Sequence, residues 1–463
     1  MLGRTDASSP TRGSRVNPSP TQADSSPAPA LHAATATTTA PESLSAPAPD
    51  RHARAVLAVL CFVYVLNFLD RQLLSILAKP IQDSLHITDG QLGLIGGLYF
   101  AFFYCFIAVP VGWFADRTDR VTVLSLACAV WSAATMACGV AVTYPQLVVA
   151  RMTVGFGEAG GVPPSYALIT DLFPPGRRGT AFGIYNLGPP IGAALGIAFG
   201  ASIAAAFDWR HAFITIGIVG LLTSAAVRLF VREPVRGRFD VNAGRVAKSG
   251  FGDTLRAFFS RKTLVLAALG SGATQMITYG MGNFTTLFLM REKGMTLREV
   301  AVWYALVAAV GMSSGMIVSG RVIDRLTRRS RSAYATVPAL SLAIALPFYV
   351  AFLWAPTWRL ALVFLTGAMM LNYFYLSSSV ALVQEEVRPD QRVMSGALLL
   401  LVMNFIGLGF GPTWVGAASD WFKAQGNPHA LQAALYTLTP FYVVAILLFL
   451  WLARTLRGEE ARA

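Results

Sequence analysis

Four ionisable residues fall inside long apolar runs: Asp70 and Arg71 in one, Arg151 and Glu158 in another. A charge in hydrocarbon costs several kcal/mol unless it is paired or hydrated. Asp70 and Arg71 are neighbours, so on a helix they project about 100° apart and cannot satisfy each other. Arg151 and Glu158 are seven apart, which puts them on one helical face with about 10 Å between them along the axis. Each of the four is expected to find its partner on another helix. Such a cluster can change its proton count. Desolvation favours a neutral carboxyl, a nearby cation favours the charged form, and arginine stays protonated throughout. An arginine that moves nearer or farther therefore releases or binds a proton. Two other uses compete with this one: a static ion network that fixes helix packing, and direct contact with a charged substrate headgroup.

Other chemistry is missing. Cys61, Cys105, Cys128 and Cys138 lie in apolar runs without metal-ligand spacing and read as buried thiols. None of the five histidines lies deep in an apolar run, and no H-E-x-x-H, G-x-S-x-G or Walker A motif occurs. The chain is expected to be no enzyme, to hold no metal or cofactor and to draw no energy from ATP. Protons are the expected coupling ion.

The elements that must position these charges follow from composition. The chain has 463 residues, 54% hydrophobic and 13% charged, about half the charge of a soluble domain. That excludes a soluble enzyme, a nucleic-acid binder and a disordered protein. Residues 1–50, rich in Ser, Thr, Ala and Pro, are too polar to bury a core and are expected to be a disordered tail without a signal-peptide core. Beyond them, apolar runs of bilayer-spanning length recur. They fall near 54–78, 91–114, 121–142, 145–170, 179–206, 211–231, 263–290, 298–321, 333–354, 359–384, 393–418 and 431–454. The expected organisation is a six-helix bundle over 51–231, a cytoplasmic linker over 232–262, a second six-helix bundle over 263–456 and a tail over 457–463. With both termini cytoplasmic, 28 of the 37 Lys and Arg residues lie on the inner side and 7 outside. The net charge of +13 thus reads as a topology signal and a contact surface for anionic lipid, not for nucleic acid.

The two halves repeat. Gly112, Asp116, Arg117 and Arg120 form G-x-x-x-D-R-x-x-R after the second span, and Gly320, Asp324, Arg325 and Arg328 form it again after the eighth. Asp171, Pro175 and Arg178 match Glu385, Pro389 and Arg392, and Asp208-Trp209 matches Asp420-Trp421. Three ordered matches at nearly equal offsets indicate a duplicated six-helix unit, an arrangement suited to a rocking transporter.

At these residues the chain resembles the major facilitator superfamily over roughly 54–456. Asn67 to Arg71, Arg151 to Ala159 and Arg232-Glu233-Pro234 resemble its spinster-type branch. The resemblance implies an all-α integral membrane protein of twelve transmembrane helices in two pseudo-symmetric bundles. It also implies a cavity lined by the first and fourth helices, hence a first-to-fourth charge cluster, and an inner gate held closed by the duplicated motif. Characterised spinster-like proteins export lysolipids and sphingolipids, either proton-linked or facilitative. The run Gly188, Pro189, Pro190, Gly192 resembles the superfamily's antiporter motif in the fifth helix, although its first glycine is out of register. Read from the residues alone, it is a kinked, closely packed helix.

Candidate substrate contacts are Gln275, Tyr279 and Asn283 in the seventh span, Asn372, Tyr373 and Tyr375 in the tenth, and Asn404 in the eleventh. An uncharged aromatic and amide lining facing a charged half suits an amphipathic solute. The leading expectation is a monomeric, proton-linked secondary transporter of a lysolipid or lipophilic organic anion, in the inner membrane if the source is bacterial. An importer of small organic acids is the alternative within transport. A non-transporting membrane sensor is the alternative outside it.

Overall fold

A computed structural model describes residues 51–236, 251–388 and 391–461. The expected tail over 1–50, and three of the linker's eight basic residues (Arg238, Arg245 and Lys248), lie outside them. The described residues form helices and connecting turns, with no strand among them. They group into twelve passes. The first is Arg51–Ile76, followed by a short helix, Ala78–Leu85. The second is Asp89–Gly96 with Leu98–Arg117, and the third is Arg120–Val140. The fourth is Tyr144–Glu158 with Val162–Leu172, the fifth Pro175–Tyr185 with Gly188–Ala206, and the sixth Trp209–Phe230. Helix Phe251–Ser260 ends the linker, and Lys262–Arg291 is the seventh pass. The eighth runs from Leu297 through a π-helical turn, Val300–Tyr304, into Ala305–Thr327. Ala333–Trp354 is the ninth, and Trp358–Asn372 with Phe374–Glu386 the tenth. The eleventh is Arg392–Asn404, a second π-helical turn and Gly411–Ala424, and the twelfth is Ala430–Tyr436 with Thr439–Glu460.

Ten passes contain a helix long and apolar enough to cross a bilayer core, counting only described residues. The other two depart for local reasons. The fourth breaks at Ala159–Gly161, where two glycines follow Glu158 and Pro163 and Pro164 restart the helix. The seventh is continuous but rich in Gly, Ser, Thr, Gln and Asn, which lowers its hydropathy. The twelfth helix runs past the expected bundle end at 456 to Glu460.

Helix starts follow from capping. Asp119 caps the third pass by accepting the Thr122 N–H at 2.5 Å. Thr88 and Gln91 form a reciprocal capping box at the second pass, and Thr296 and Glu299 form another at the eighth. These boxes are 208 residues apart, the same offset as the duplicated G-x-x-x-D-R-x-x-R motif.

Within the first bundle the third helix packs on the fourth and sixth, and the first on the fifth. A Cβ at Gly196 would lie 2.8 Å from the Leu69 carbonyl oxygen, so only glycine allows the first and fifth helices this approach. In the second bundle the ninth helix packs on the tenth and twelfth, and the seventh on the twelfth. Across the halves, the second helix meets the eleventh, the fifth the eighth and the first the seventh.

Candidate functional site

The four intramembrane charges form two crossed pairs. Arg71 Nε donates to Glu158 Oε2 at 2.6 Å, and Arg151 Nη1 lies 3.5 Å from Asp70 Oδ2. Neighbours on the first helix therefore reach residues two turns apart on the fourth, because they point to different sides of their own helix. Thr135 on the third helix donates to Asp70 Oδ1 at 3.0 Å. Asp70, Arg151 and Glu158 are almost completely buried, and the Arg71 side chain is 9% exposed.

Aromatic rings complete the shell. The Arg71 guanidinium lies 5.0, 5.3 and 4.4 Å from the ring centroids of Phe68, Phe100 and Tyr104, and Arg151 lies 5.2 Å from Phe100. Ring faces partly replace the hydration that both cations lose. Arg71 Nη2 and Glu158 Oε1 have no hydrogen-bond partner. The arrangement is thus charge-neutral but not saturated. Glu158 also closes the first segment of the fourth helix. Just before it, a Cβ at Gly157 would lie 2.6 Å from the Trp131 backbone nitrogen, so the third helix presses directly on this point.

A narrow cavity adjoins the cluster. Arg71 and Arg151 line it from the first bundle, and Tyr279, Asn283, Asn372 and Tyr373 from the second. Gln275 and Tyr375 are buried away from this lining, and Asn404 leads into the π-helical turn of the eleventh pass without reaching it. Asn372 donates to the Tyr442 hydroxyl at 2.9 Å, which fixes its amide at the cavity wall. The sequence reading missed Ser75 and Met312, two further lining residues. Neither carries a charge or a motif that would single it out.

The fifth pass is interrupted at Asn186–Leu187, and Gly188, Pro189 and Pro190 open its second segment. Gly192 sits against the first helix, where a Cβ would strike the Val65 carbonyl.

At the end of the molecule that holds the duplicated motif, each half has its own polar network. Arg120 pairs with Asp171, and Glu233 Oε2 accepts the backbone N–H groups of Arg120 and Val121 at 3.0 and 3.3 Å. In the second half Arg331 pairs with Glu386 at 2.5 Å, and Glu460 accepts the Arg331 N–H at 2.5 Å. The structural counterpart of Arg120 is therefore Arg331, not Arg328 as the motif alignment implies. The counterpart of Asp171 is Glu386, while its aligned partner Glu385 accepts the Tyr334 hydroxyl at 2.5 Å. The ninth helix starts a few residues later than the motif predicts, and that shift moves the pairing. Arg117 folds back on Trp113, with its guanidinium 3.9 Å from the ring centroid. Gly320 has open space beside it, a Cβ at Gly112 would make an ordinary contact with Pro163 at 3.8 Å, and Asp324, Arg325 and Arg328 are exposed. The Asp116 side chain lies outside those described. Burial alone would raise the Asp119 pKa. The Thr122 N–H and hydroxyl, with Arg228 and Arg236 nearby, override it and hold this carboxyl below its usual range.

Twelve passes, a duplicated half and a buried charge cluster facing a central cavity can be weighed against known proteins. The sequence profile of the Major Facilitator Superfamily matches residues 60–412. The chain belongs to the major facilitator superfamily. It is 30% identical over 410 residues to an MFS-type efflux pump of Mycolicibacterium smegmatis, covering 87% of this chain and 94% of that protein. It is 27% identical to the hexuronate transporter of Bacillus subtilis, covering 84% and 94% of the two chains. Among solved structures it resembles a bacterial homologue of the human lysosomal transporter Spinster, captured inward-facing and unoccupied. The TM-score is 0.82 at 28% identity, over 89% of this chain and 99% of that one. This superfamily member is thus a multi-pass integral membrane transporter of spinster-like build, and not an enzyme.

Proposed function

We propose that this transporter is proton-linked and moves an amphipathic organic anion, lysolipids included, by alternating access. Both termini face the cytoplasm. The observation that carries the reading is the crossed Arg71–Glu158 and Asp70–Arg151 cluster, buried yet opening on the cavity through its arginines. A buried carboxylate keeps its charge only while a cation or donors face it. Substrate that engages Arg71 Nη2, or a rocking motion that parts the first and fourth helices, would draw an arginine away and leave a carboxylate to take up a proton. The opposite wall offers rings and amides without charge, which suits the apolar part of an amphipathic solute.

Asp70→Asn and Glu158→Gln keep shape and hydrogen bonding while removing titration. At least one should abolish transport driven by a pH gradient while counterflow exchange survives. If both variants still concentrate substrate with normal pH dependence, the cluster is structural.

A second reading, import of a small organic acid with its carboxylate on Arg71 or Arg151, is favoured by the partnerless Arg71 Nη2 and by the likeness to a hexuronate transporter. An imposed pH gradient, acid outside, distinguishes the two: it drives accumulation of a lysolipid or lipophilic anion under the first and of a small organic acid under the second.

A further inference from the structure

The end of the molecule opposite the duplicated motif is built differently. Asp89, the first residue of the second pass, is fully buried. Arg291 of the seventh helix grips both its oxygens, at 2.9 and 3.2 Å. Lys423 and Ser419 of the eleventh approach Oδ2 at 2.5 and 2.6 Å, and Gln82 donates to Oδ1 at 2.6 Å while accepting from Arg291 at 3.0 Å. The exchange is reciprocal. Asp420 of the eleventh helix accepts the Asp89 and Gly90 backbone N–H groups at 3.1 and 2.8 Å. It thereby satisfies two of the free donors at a helix start that the helix dipole already makes favourable for an anion. Just below, a Cβ at Gly93 would strike the Pro412 carbonyl and one at Gly416 the Asp89 carbonyl, so the second and eleventh helices cross in backbone contact. Thr413 bridges them by accepting the Leu98 N–H at 3.1 Å.

The feature is one-sided in two ways. Among the described residues, the ion pairs that bridge the halves, Arg291–Asp89 and Lys423–Asp89, both lie at this end. It also has no internal copy. The eighth pass repeats the capping box of the second, but Leu297 stands where the second has Asp89. Asp208, the counterpart of Asp420, faces Arg210 of its own half at 3.2 Å. The contact between the fifth and eighth helices therefore lacks the charged clasp that the contact between the second and eleventh carries.

We infer that Asp89, Arg291, Lys423 and Asp420 form the outer latch of the transport cycle. Their positioning role is to hold the outer gate shut at the second and eleventh helices, while the fifth and eighth serve as the side on which the halves turn. This rests on the alternating-access reading above. Asp89 contacts neither the cavity nor the charge cluster, so its loss should change the balance of states rather than the chemistry.

The test uses the full-length protein without its native cysteines, spin-labelled at Ser84→Cys and Gln425→Cys across the outer end. A second label pair spans the inner end. Asp89→Asn and the milder Lys423→Gln should each raise the outward-open population, the former by about tenfold. Apparent affinity for substrate added outside should rise in parallel, since more of the protein is competent. Lys423→Gln decides the matter if Asp89→Asn fails to fold. Outer distances unchanged in the variants, while the inner pair still shows two states, overturn the latch alone. One fixed distance at both ends in every protein, wild type included, overturns alternating access and the latch with it.

Discussion

At the scale of single residues, Arg71 has two tasks, and they separate by substitution. It pairs with Glu158 and lies over three rings. Lysine would keep the charge but lose the planar fork and most of the stacking. Arg71→Lys should therefore fold with a loss of about 1–2 kcal/mol and transport slowly. Arg71→Met leaves Glu158 buried without its partner and should cost about 3–5 kcal/mol. Thermal unfolding in detergent ranks the two, and an equal loss would show that the charge a lysine keeps beside Glu158 contributes nothing. Asp119 gives a pH-dependent case. Its pKa is held down in the folded chain, so its cap contributes fully above about pH 4. That contribution fades as pH falls through the folded value. Asp119→Ala should cost about 1 kcal/mol near neutrality and progressively less in acid; a penalty constant with pH would refute the assignment. At this scale the sequence was informative wherever a residue violated its surroundings. Asp70, Arg71, Arg151 and Glu158 stand out because charge is expensive in an apolar run. Asp89 does not, because at the mouth of a span an aspartate looks like an ordinary helix start. Only the matching boxes at Thr88 and Thr296 would have drawn notice to it.

Among elements, the two halves hold the starts of their third and ninth helices by the same device with unequal strength. Glu233 is mostly buried beside Arg120, whereas Glu460 sits exposed on the last turn of the chain. Glu233→Gln should cost about 1–3 kcal/mol, and Glu460→Gln less than about 1 kcal/mol. Chemical denaturation of the two variants side by side would reveal the reverse order if exposure is not what matters. A Gly157→Leu substitution should be worse than either, by about 3 kcal/mol or more, because the Trp131 backbone cannot yield. Retained expression and melting temperature would contradict that. Helix number and order were legible from hydropathy and from the repeat. Partner choice within the repeat was not: Arg331 and Glu386 take the places assigned to Arg328 and Glu385. A few residues of drift leave a motif recognisable but rotate side chains onto a different face.

For the molecule as a whole, orientation is the first thing to test. Gln425 and Arg329 are exposed at opposite ends. In a variant lacking native cysteines, an impermeant thiol reagent should label Gln425→Cys in intact cells and leave Arg329→Cys untouched; the opposite pattern inverts the topology. The crossed cluster has a further consequence at this scale. With both carboxyls ionised, its two carboxylates and two guanidiniums sum to zero, and the site carries no net charge through the membrane field. One proton makes it a monocation, and a bound monoanion restores neutrality. Carrying that pair across would do no electrical work. A zwitterion moved with the same proton would leave one uncompensated charge, and each 100 mV of membrane potential would then weigh on the cycle by about 2.3 kcal/mol. Current recorded during transport would thus report the charge of the substrate before its structure is known.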